Sequence, residues 1–330
     1  MSSHSSHRKH KKRHKNYASD IVIVLAGLAL VLLFVFSDMR YKNSYARGGQ
    51  EDEIVTVTTT TTTTTTMPPV KDNKAILDLP FNYIAYSKIN GFAHCINTAE
   101  QYLWSAKKEF TALKGDVRIT SDGKLIMCLD DGITVNKDGK IVMYDSKNAV
   151  PIRDMTEEEC LDLRHDGRNT PLCTFDEYVT ICKEYDKIAF ITIWDEYLDE
   201  IIPQMIRTLK KHEMLDKCIA NSYKFASLQA VRKAEPTIVL SKMMEYESEL
   251  TVEVIDEVAS MGNCVINAFD FSKITKFKDV DDVIDLEILD YAKTKNVRVY
   301  EAQVHSMAIV NKLKEYGYSG AQMMVAPVFE

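Results

Sequence analysis

Two histidines and two adjacent acids occupy positions from which proteins often do chemistry. His94 lies in a loop-like stretch and His305 follows a short apolar run, while Asp195 and Glu196 follow the apolar run 188–193 after one residue, Trp194. Histidine transfers protons near neutral pH, and carboxylates are ligands of hard cations such as Ca²⁺ and Mg²⁺. A solvated loop histidine and an acidic first helical turn explain the same residues without any chemistry, so both interpretations stay open.

The elements that would position these side chains alternate in type from about residue 79 onward. Strands are predicted at residues 83–86, 116–120, 188–193, 218–220, 237–240, 264–268, 298–302 and 321–324. Helices are predicted at residues 98–110, 175–184, 195–211, 225–234, 252–260, 286–294 and 304–316. This α/β alternation predicts a closed (β/α)8 TIM barrel, whose C-terminal loops would converge on one face. An open doubly wound sheet is the alternative, but the chain has only 12 Gly and no GxGxxG after its first strand.

One stretch has the residue order of a known signature. Residues 115–130 read Gly-Asp-Val-Arg-Ile-Thr-Ser-Asp-Gly-Lys-Leu-Ile-Met-Cys-Leu-Asp. They resemble the second-strand signature of the glycerophosphodiester phosphodiesterases, which is an acidic-x-Asp-Val motif followed by Thr-x-Asp-Gly and His-Asp. Further segments match that family in the same order, at residues 96–98, 154–159, 173–178, 222–223 and 317–320. The resemblance spans residues 79–330 and implies a TIM barrel related to phosphoric diester hydrolases of lipid metabolism.

The resemblance also implies a catalytic set that this chain largely lacks. The family uses two histidines as acid and base, an arginine on phosphate, and three carboxylates on phosphate and a divalent cation. The corresponding positions carry other residues here: Ser87 and Lys88 for the His-Arg pair, Leu129 for the second His, Lys114 for a metal-binding Glu, and Thr192 and Trp194 for Glu-x-Lys. Because leucine transfers no proton and a lone carboxylate beside a lysine suits a hard cation poorly, the inherited mechanism is predicted to be lost.

Several residues stay candidates under this resemblance. Asp116 is interpreted as a remnant metal ligand or, equally well, as a cap of the following turn. Asp130, within Asp130-Asp131-Gly132, favours a turn over a metal site. Candidates for a remnant or rebuilt acid–base site are Lys88, Asp130, His94 and His305, and Asp195 and Glu196 are possible replacement metal ligands. Lys88, Lys114 and Tyr223 are candidates for holding a phosphate without cleaving it.

The N-terminal quarter predicts a membrane anchor and a spacer. Residues 1–20 carry six Lys/Arg and are followed by sixteen uncharged, mostly apolar residues at 21–36. That run measures about 24 Å as a helix, so with flanking residues it can span a bilayer, and residues 21–37 are predicted to be an uncleaved signal anchor rather than a cleaved signal peptide. The basic tail would stay cytoplasmic and the barrel would be extracellular. Residues 38–78, with an unbroken Thr run at 58–66, predict a disordered stalk.

The net charge argues against one class of partner, and the cysteine content indicates the state of the thiols. The whole chain has a formal charge of −7, and without its basic tail about −12, which argues against nucleic acid. The 7 cysteines are odd in number and form no CxxC pair, which favours buried thiols. The sequence therefore predicts a single-pass membrane protein that binds an envelope or phosphodiester ligand, or acts as a scaffold, without a cofactor. The alternative is an active hydrolase of glycerophosphodiesters or related lipids, with Ca²⁺ or Mg²⁺ on rearranged ligands.

Overall fold

A closed barrel of eight parallel strands forms the centre of the described part of the chain. The computed structural model describes residues 69–87, 89, 96–194, 197–244, 250–268 and 286–328. The barrel strands are β1 (Asn82–Ala85), β2 (Ala112–Ile119), β3 (Ile188–Ile193), β4 (Cys218–Ser222), β5 (Val239–Met243), β6 (Cys264–Ala268), β7 (Arg298–Val304) and β8 (Gly320–Met323). Each strand pairs in parallel with the next, and β8 pairs with β1 to close the ring. The predicted TIM barrel is confirmed.

The described helices lie around the barrel wall, at one of its ends and in the segment that follows its second strand. They are α1 (Lys74–Leu77), α2 (Ala99–Ala106), α3 (Glu157–Asp162), α4 (Phe175–Glu184), α5 (Leu198–Lys211), α6 (Phe225–Ala234), α7 (Val252–Met261), α8 (Leu286–Thr294) and α9 (Met307–Tyr316). Threonine side chains cap several of them: Thr156 forms a capping box with Glu159, and Thr174 accepts from the Glu177 amide. These caps lie in two of the segments, 154–159 and 173–178, that match the family in sequence.

Strand alternation separates the two faces of the barrel wall. The outward side chains of the strands pack against the helices in the main hydrophobic core. The inward side chains form a second, smaller core around Ile84, Phe190, Ile219 and Tyr300. Because side chains on one strand face recur every second residue, this inner core fixes which later residues of each strand also point into the barrel.

Strand β2 begins earlier than predicted, and the difference matters for the site. The prediction started this strand at residue 116, whereas it starts at Ala112. Gly115 lies inside this strand, where the wall is too crowded for a side chain: a Cβ atom would lie 2.3 Å from Met127 Cε and 2.9 Å from Tyr102 Oη. Glycine in a strand interior marks such a close approach. The earlier start brings Lys114 into the barrel wall.

The segment between β2 and α4 was not predicted in detail. It contains a strand at Leu125–Met127 that pairs antiparallel with β2, and the two-residue strands Gly132–Ile133, Lys140–Ile141, Val150–Pro151, Arg164–His165 and Cys173–Thr174. A core of its own includes Ile126, Ile133, Ile152 and Leu172. Elements this short leave no periodicity to recognise in a sequence.

The folded chain starts before residue 79, which corrects the predicted stalk. Helix α1 lies at residues assigned to the stalk, and its Ile76 is fully buried in the inner core of the barrel. Arg298 of β7 donates to the carbonyl oxygens of Ile76, Leu77 and Leu79. The stalk prediction missed this segment because its one apolar turn is too short to show a pattern.

Among the described residues, no helix is both long and apolar enough to cross a membrane. The predicted membrane segment at residues 21–37 and the Thr run at 58–66 lie outside the described residues.

Candidate functional site

The inside of the barrel changes from apolar to polar toward the C-terminal ends of the strands. On most strands, the side chain two residues after an inner-core residue is polar, and on β8 a polar side chain is in register with an inner-core residue of β1. These polar side chains are at most 1% exposed. We call this set the polar layer; it consists of Asp116, Thr192, Asn221, Ser241, Asn267 and Gln322. In TIM-barrel proteins the C-terminal face carries the functional site, so the layer lies beneath the expected place.

Lys114 and Asp116 form an ion pair inside the barrel. They are two residues apart on β2 and therefore point to the same side of the wall. Lys114 Nζ lies 2.7 Å from Asp116 Oδ1, and the two side chains are 5% and 0% exposed. The ammonium also lies 5.3 Å from the centroid of the Tyr86 ring. Two charges buried to this extent are stable only because each compensates the other.

The pair replaces the charge arrangement that a divalent cation needs. In the resemblance, positions 114 and 116 both carry carboxylates, whereas here a lysine ammonium contacts the remaining carboxylate directly. A cation beside Asp116 would meet the positive charge of Lys114 at close range. Elsewhere in the described part of the chain, no three His, Cys, Asp or Glu side chains lie together as a metal site. The described residues do not fit Ca²⁺ or Mg²⁺ at this position.

Asp116 does not cap a turn, contrary to one of its two predicted interpretations. It lies within β2, which continues to Ile119, and it pairs in register with Thr192 of β3. Its Oδ2 atom is buried and has no hydrogen-bond partner among the described residues. The carboxylate therefore belongs to the barrel interior.

The rim above the polar layer is built by Arg118 and Trp194. Arg118 follows Asp116 on the same strand face, and its guanidinium carbon lies 4.7 Å from the centroid of the Trp194 ring. Arg118 Nη2 donates to the carbonyl oxygen of Leu129 at 2.8 Å. Leu129, which the resemblance aligns with the second family histidine, is 5% exposed. The Leu129 carbonyl oxygen is thus held by Arg118, while its side chain cannot transfer a proton.

A small cavity of about 20 Å³ adjoins this rim. Arg118, Arg153, Trp194 and Tyr197 contribute to its lining. Arg153 stacks over the Tyr197 ring at 4.4 Å and pairs with Glu200 at 2.8 Å, so its charge is already compensated. Asp131 also lines the cavity. Because its carboxylate offsets the positive charge of the arginines, the cavity is not strongly selective for anions.

The remaining predicted site residues are spread over the mouth or fall outside the described chain. Tyr223 lies at the mouth, with its ring centroid 6.2 Å from that of Trp194. His305 is exposed and precedes Ser306, the N-cap of α9. Lys88, His94, Asp195 and Glu196 lie outside the described residues. Lys114 is at the predicted site, but its ammonium is engaged by Asp116.

Asp130 and Asp131 lie in a bend that leads into a short strand. Residues 129–131 form bends, and Gly132 begins a short strand. Asp131 Oδ1 accepts from the Tyr144 hydroxyl at 2.5 Å. Burial, together with this hydrogen bond to a carboxylate, raises the pKa of Tyr144. Asp130 and Asp131 thus lie in a bend, whereas Gly132, which was also assigned to the predicted turn, belongs to a strand.

Sequence reasoning missed most of the polar layer. Asn221, Ser241 and Asn267 each interrupt an apolar strand, two residues after an inward apolar side chain. A polar residue in phase with the inward face of a predicted barrel strand is the signal that was available. Arg118 was also missed, although it follows Asp116 at the same spacing.

Comparison with known proteins identifies the architecture. No protein-family profile matches the chain, and no curated protein matches it. Among solved structures, a candidate glycerophosphoryl diester phosphodiesterase of Silicibacter pomeroyi superposes with a TM-score of 0.63 and 15% identity, covering 77% of this chain and 94% of that one. The chain has the glycerophosphodiester phosphodiesterase fold.

Two further structures agree with this result. An Oleispira antarctica phosphodiesterase, solved with the product sn-glycerol-3-phosphate, has a TM-score of 0.60 at 14% identity, over 75% of this chain and 94% of that one. A glycerophosphodiester phosphodiesterase of Thermotoga maritima has a TM-score of 0.54 at 18% identity, over 74% and 93%. The resemblance first seen in residues 115–130 is thus confirmed at the level of the fold, in a strongly divergent sequence.

Proposed function

We propose that this barrel, which has the fold of the phosphodiesterases, binds a ligand but does not hydrolyse it with the help of a divalent cation. The observation that carries the proposal is the buried Lys114–Asp116 ion pair. Phosphodiester cleavage needs charge neutralisation at the non-bridging oxygens and proton transfer at the attacking and leaving oxygens. Here an internal ammonium takes the place of the cation, and Leu129 replaces a proton-transferring histidine.

A hydrolysis assay tests this proposal. The purified full chain in detergent is incubated with a panel of glycerophosphodiesters and Ca²⁺, Mg²⁺ or EDTA, and glycerol phosphate release is measured. We expect no metal-dependent release. Turnover that needs metal and disappears in Asp116→Asn would overturn the proposal and favour the alternative, an active enzyme with rearranged ligands.

We further propose that residues 21–37 hold the barrel at the outer face of a membrane, where it binds or scaffolds envelope components. The support is the sequence alone: an uncharged apolar run behind six basic residues. Leu30→Arg places a charge near the middle of that run and is expected to move the protein from the carbonate-resistant membrane fraction to the soluble one. Thr62→Arg, in the Thr run, is the matched control and should stay with the membrane. Equal fractionation of the two variants would contradict the anchor.

A further inference from the structure

The small cavity at the rim, which we call the rim cavity, has an apolar and aromatic lining. The rings of Trp194 and Tyr197 contribute to it. Three isoleucines that are at most 3% exposed line it as well, namely Ile119, Ile152 and Ile201. Its volume of about 20 Å³ holds about one water-sized group. Only the end of a ligand, of the size of a methyl group, therefore enters it, and the rest of the ligand lies at the opening beside the half-exposed Tyr197.

The guanidinium of Arg118, which lines this cavity, has more hydrogen-bond donors than it uses. A guanidinium carries several N–H donors in one plane. Within the described part of the chain, that of Arg118 makes one hydrogen bond, from Nη2 to the carbonyl oxygen of Leu129 at 2.8 Å, and no ion pair. Its Nε is buried without a partner among the same residues. The stack on Trp194, at 4.7 Å, fixes the plane of these donors.

Asp131 brings hydrogen-bond acceptors to the same cavity. Its Oδ1 accepts from the Tyr144 hydroxyl at 2.5 Å, and its Oδ2 makes no hydrogen bond within the described chain. Arg118 and Asp131 thus line one cavity without pairing with each other. A ligand group that accepts from one side chain and donates to the other would complete both. Because the two charges offset each other, this group needs no charge of its own.

An amide group meets these conditions. Its carbonyl oxygen accepts from a guanidinium, its N–H donates to a carboxylate, and its planar shape suits a place beside aromatic rings. A zwitterion offers complementary charges as well, but its ammonium and carboxylate lose far more hydration free energy beside buried isoleucines.

We propose that the rim cavity binds the uncharged amide group of a small molecule, with the acyl methyl group against the isoleucines. The Arg118 guanidinium donates to the amide oxygen, and the Asp131 carboxylate accepts from the amide N–H. This inference rests on the proposed function, that the barrel binds a ligand without hydrolysing it, and it names the chemical class of that ligand.

A pair of probes of nearly equal shape tests the amide directly. The purified full chain is titrated with N-methylacetamide and with methyl acetate, and binding is measured by saturation-transfer NMR. The ester lacks the N–H that donates to Asp131. We expect the wild type to bind the amide about tenfold more tightly, roughly the contribution of one hydrogen bond to a charged group. This comparison needs no variant, so it does not depend on the folding of one.

Two variants then test the two side chains. Arg118→Met keeps the apolar stem and removes the donors, so binding of N-methylacetamide should weaken about tenfold. Asp131→Ala removes the acceptor and should abolish the preference for the amide over the ester. Tyr144→Phe is the matched control, because it removes the hydroxyl that contacts Asp131 but leaves the carboxylate, and it should bind like the wild type. Thermal melting shows whether each variant is folded.

The outcomes separate this inference from the proposed function. Absence of N-methylacetamide binding, equal binding of amide and ester by the wild type, or undiminished binding by a folded Arg118→Met overturns the amide site. Tighter binding of glycine than of N-methylacetamide also overturns it, in favour of a zwitterionic ligand. None of these results bears on metal-dependent turnover, which is the test of the proposed function.

Discussion

Lys114 and Asp116 are each costly to bury alone, and their pairing is the central feature at the scale of single residues. Removing one partner of a buried pair typically costs about 3–5 kcal/mol, because the other charge is left uncompensated. We therefore expect Lys114→Met to lower the free energy of unfolding by about that amount. Urea denaturation followed by circular dichroism measures it.

The double variant Lys114→Met/Asp116→Leu is the control for this prediction. Replacing both charges by apolar side chains of similar size is often close to neutral, so most of the stability should return. If the single variant is as stable as the wild type, the pair is not buried as described. If the double variant has a lower free energy of unfolding than the single variant, the charges do more than compensate each other.

The sequence supplied the identities of these residues but not their pairing. Alignment with the family signature placed Lys114 where a metal-binding carboxylate was expected. The Lys114 ammonium contacts Asp116 because both residues belong to β2, which begins at Ala112. The prediction started the strand later, because the polar pair Lys-Gly interrupts the apolar run at this point. The Oδ1 atoms of Asn221 and Asn267 are buried without a hydrogen-bond partner among the described residues. This could not be predicted at all, because it depends on which side chains the neighbouring strands place beside them.

At the scale of elements, helix α1 is held across one end of the barrel by Arg298. Its guanidinium donates to carbonyl oxygens of residues 76, 77 and 79, and also to Ser319 at 3.2 Å. Arg298→Met keeps the apolar stem but removes these donors, so we expect a loss of about 1–3 kcal/mol. Hydrogen exchange should show faster exchange in peptides spanning 74–79.

Arg207→Met is the matched control for this element, because Arg207 is an exposed arginine of α5. It should leave exchange in residues 74–79 unchanged. If Arg298→Met also leaves it unchanged, α1 is held by the burial of Ile76 alone and the carbonyl contacts are not what retains it.

Long periodic elements were predicted well from the sequence, and short ones were not. The strands at 188–193 and 264–268 and the helices α4, α6 and α8 have the predicted bounds. The helix predicted from residue 304 begins at Met307, because β7 continues to Val304 through an irregularity with Gln303 at φ 56°. Such local backbone geometry leaves no trace in hydrophobic periodicity.

At the scale of the whole molecule, the reactivity of the cysteine thiols depends on whether the protein is folded. Six of them are described, and all six are buried free thiols. Burial raises the pKa of Cys128 to about 12 and that of Cys264 to about 11. At pH 8 only about one buried thiol in a thousand or fewer is then ionised, so reaction with a disulfide reagent requires opening of the fold.

We expect the Cys95→Ser variant, which removes the one cysteine outside the described residues, to be almost unreactive toward such a reagent in buffer and fully reactive in urea. The reaction midpoint should coincide with the unfolding midpoint seen by circular dichroism. A thiol that reacts in buffer as fast as free cysteine would contradict the uniform burial.

A Ca²⁺ titration by calorimetry, on the wild type and on Lys114→Glu, tests directly whether the Lys114 ammonium takes the place of a divalent cation. The wild type has one carboxylate neutralised by an ammonium, whereas Lys114→Glu places two carboxylates on the same face of β2, an arrangement that a divalent cation relieves. We predict no Ca²⁺ binding in the wild type that depends on Asp116, and a new binding event in Lys114→Glu. Wild-type binding of Ca²⁺ that is lost in Asp116→Asn would contradict the claim that Lys114 occupies the place of the cation.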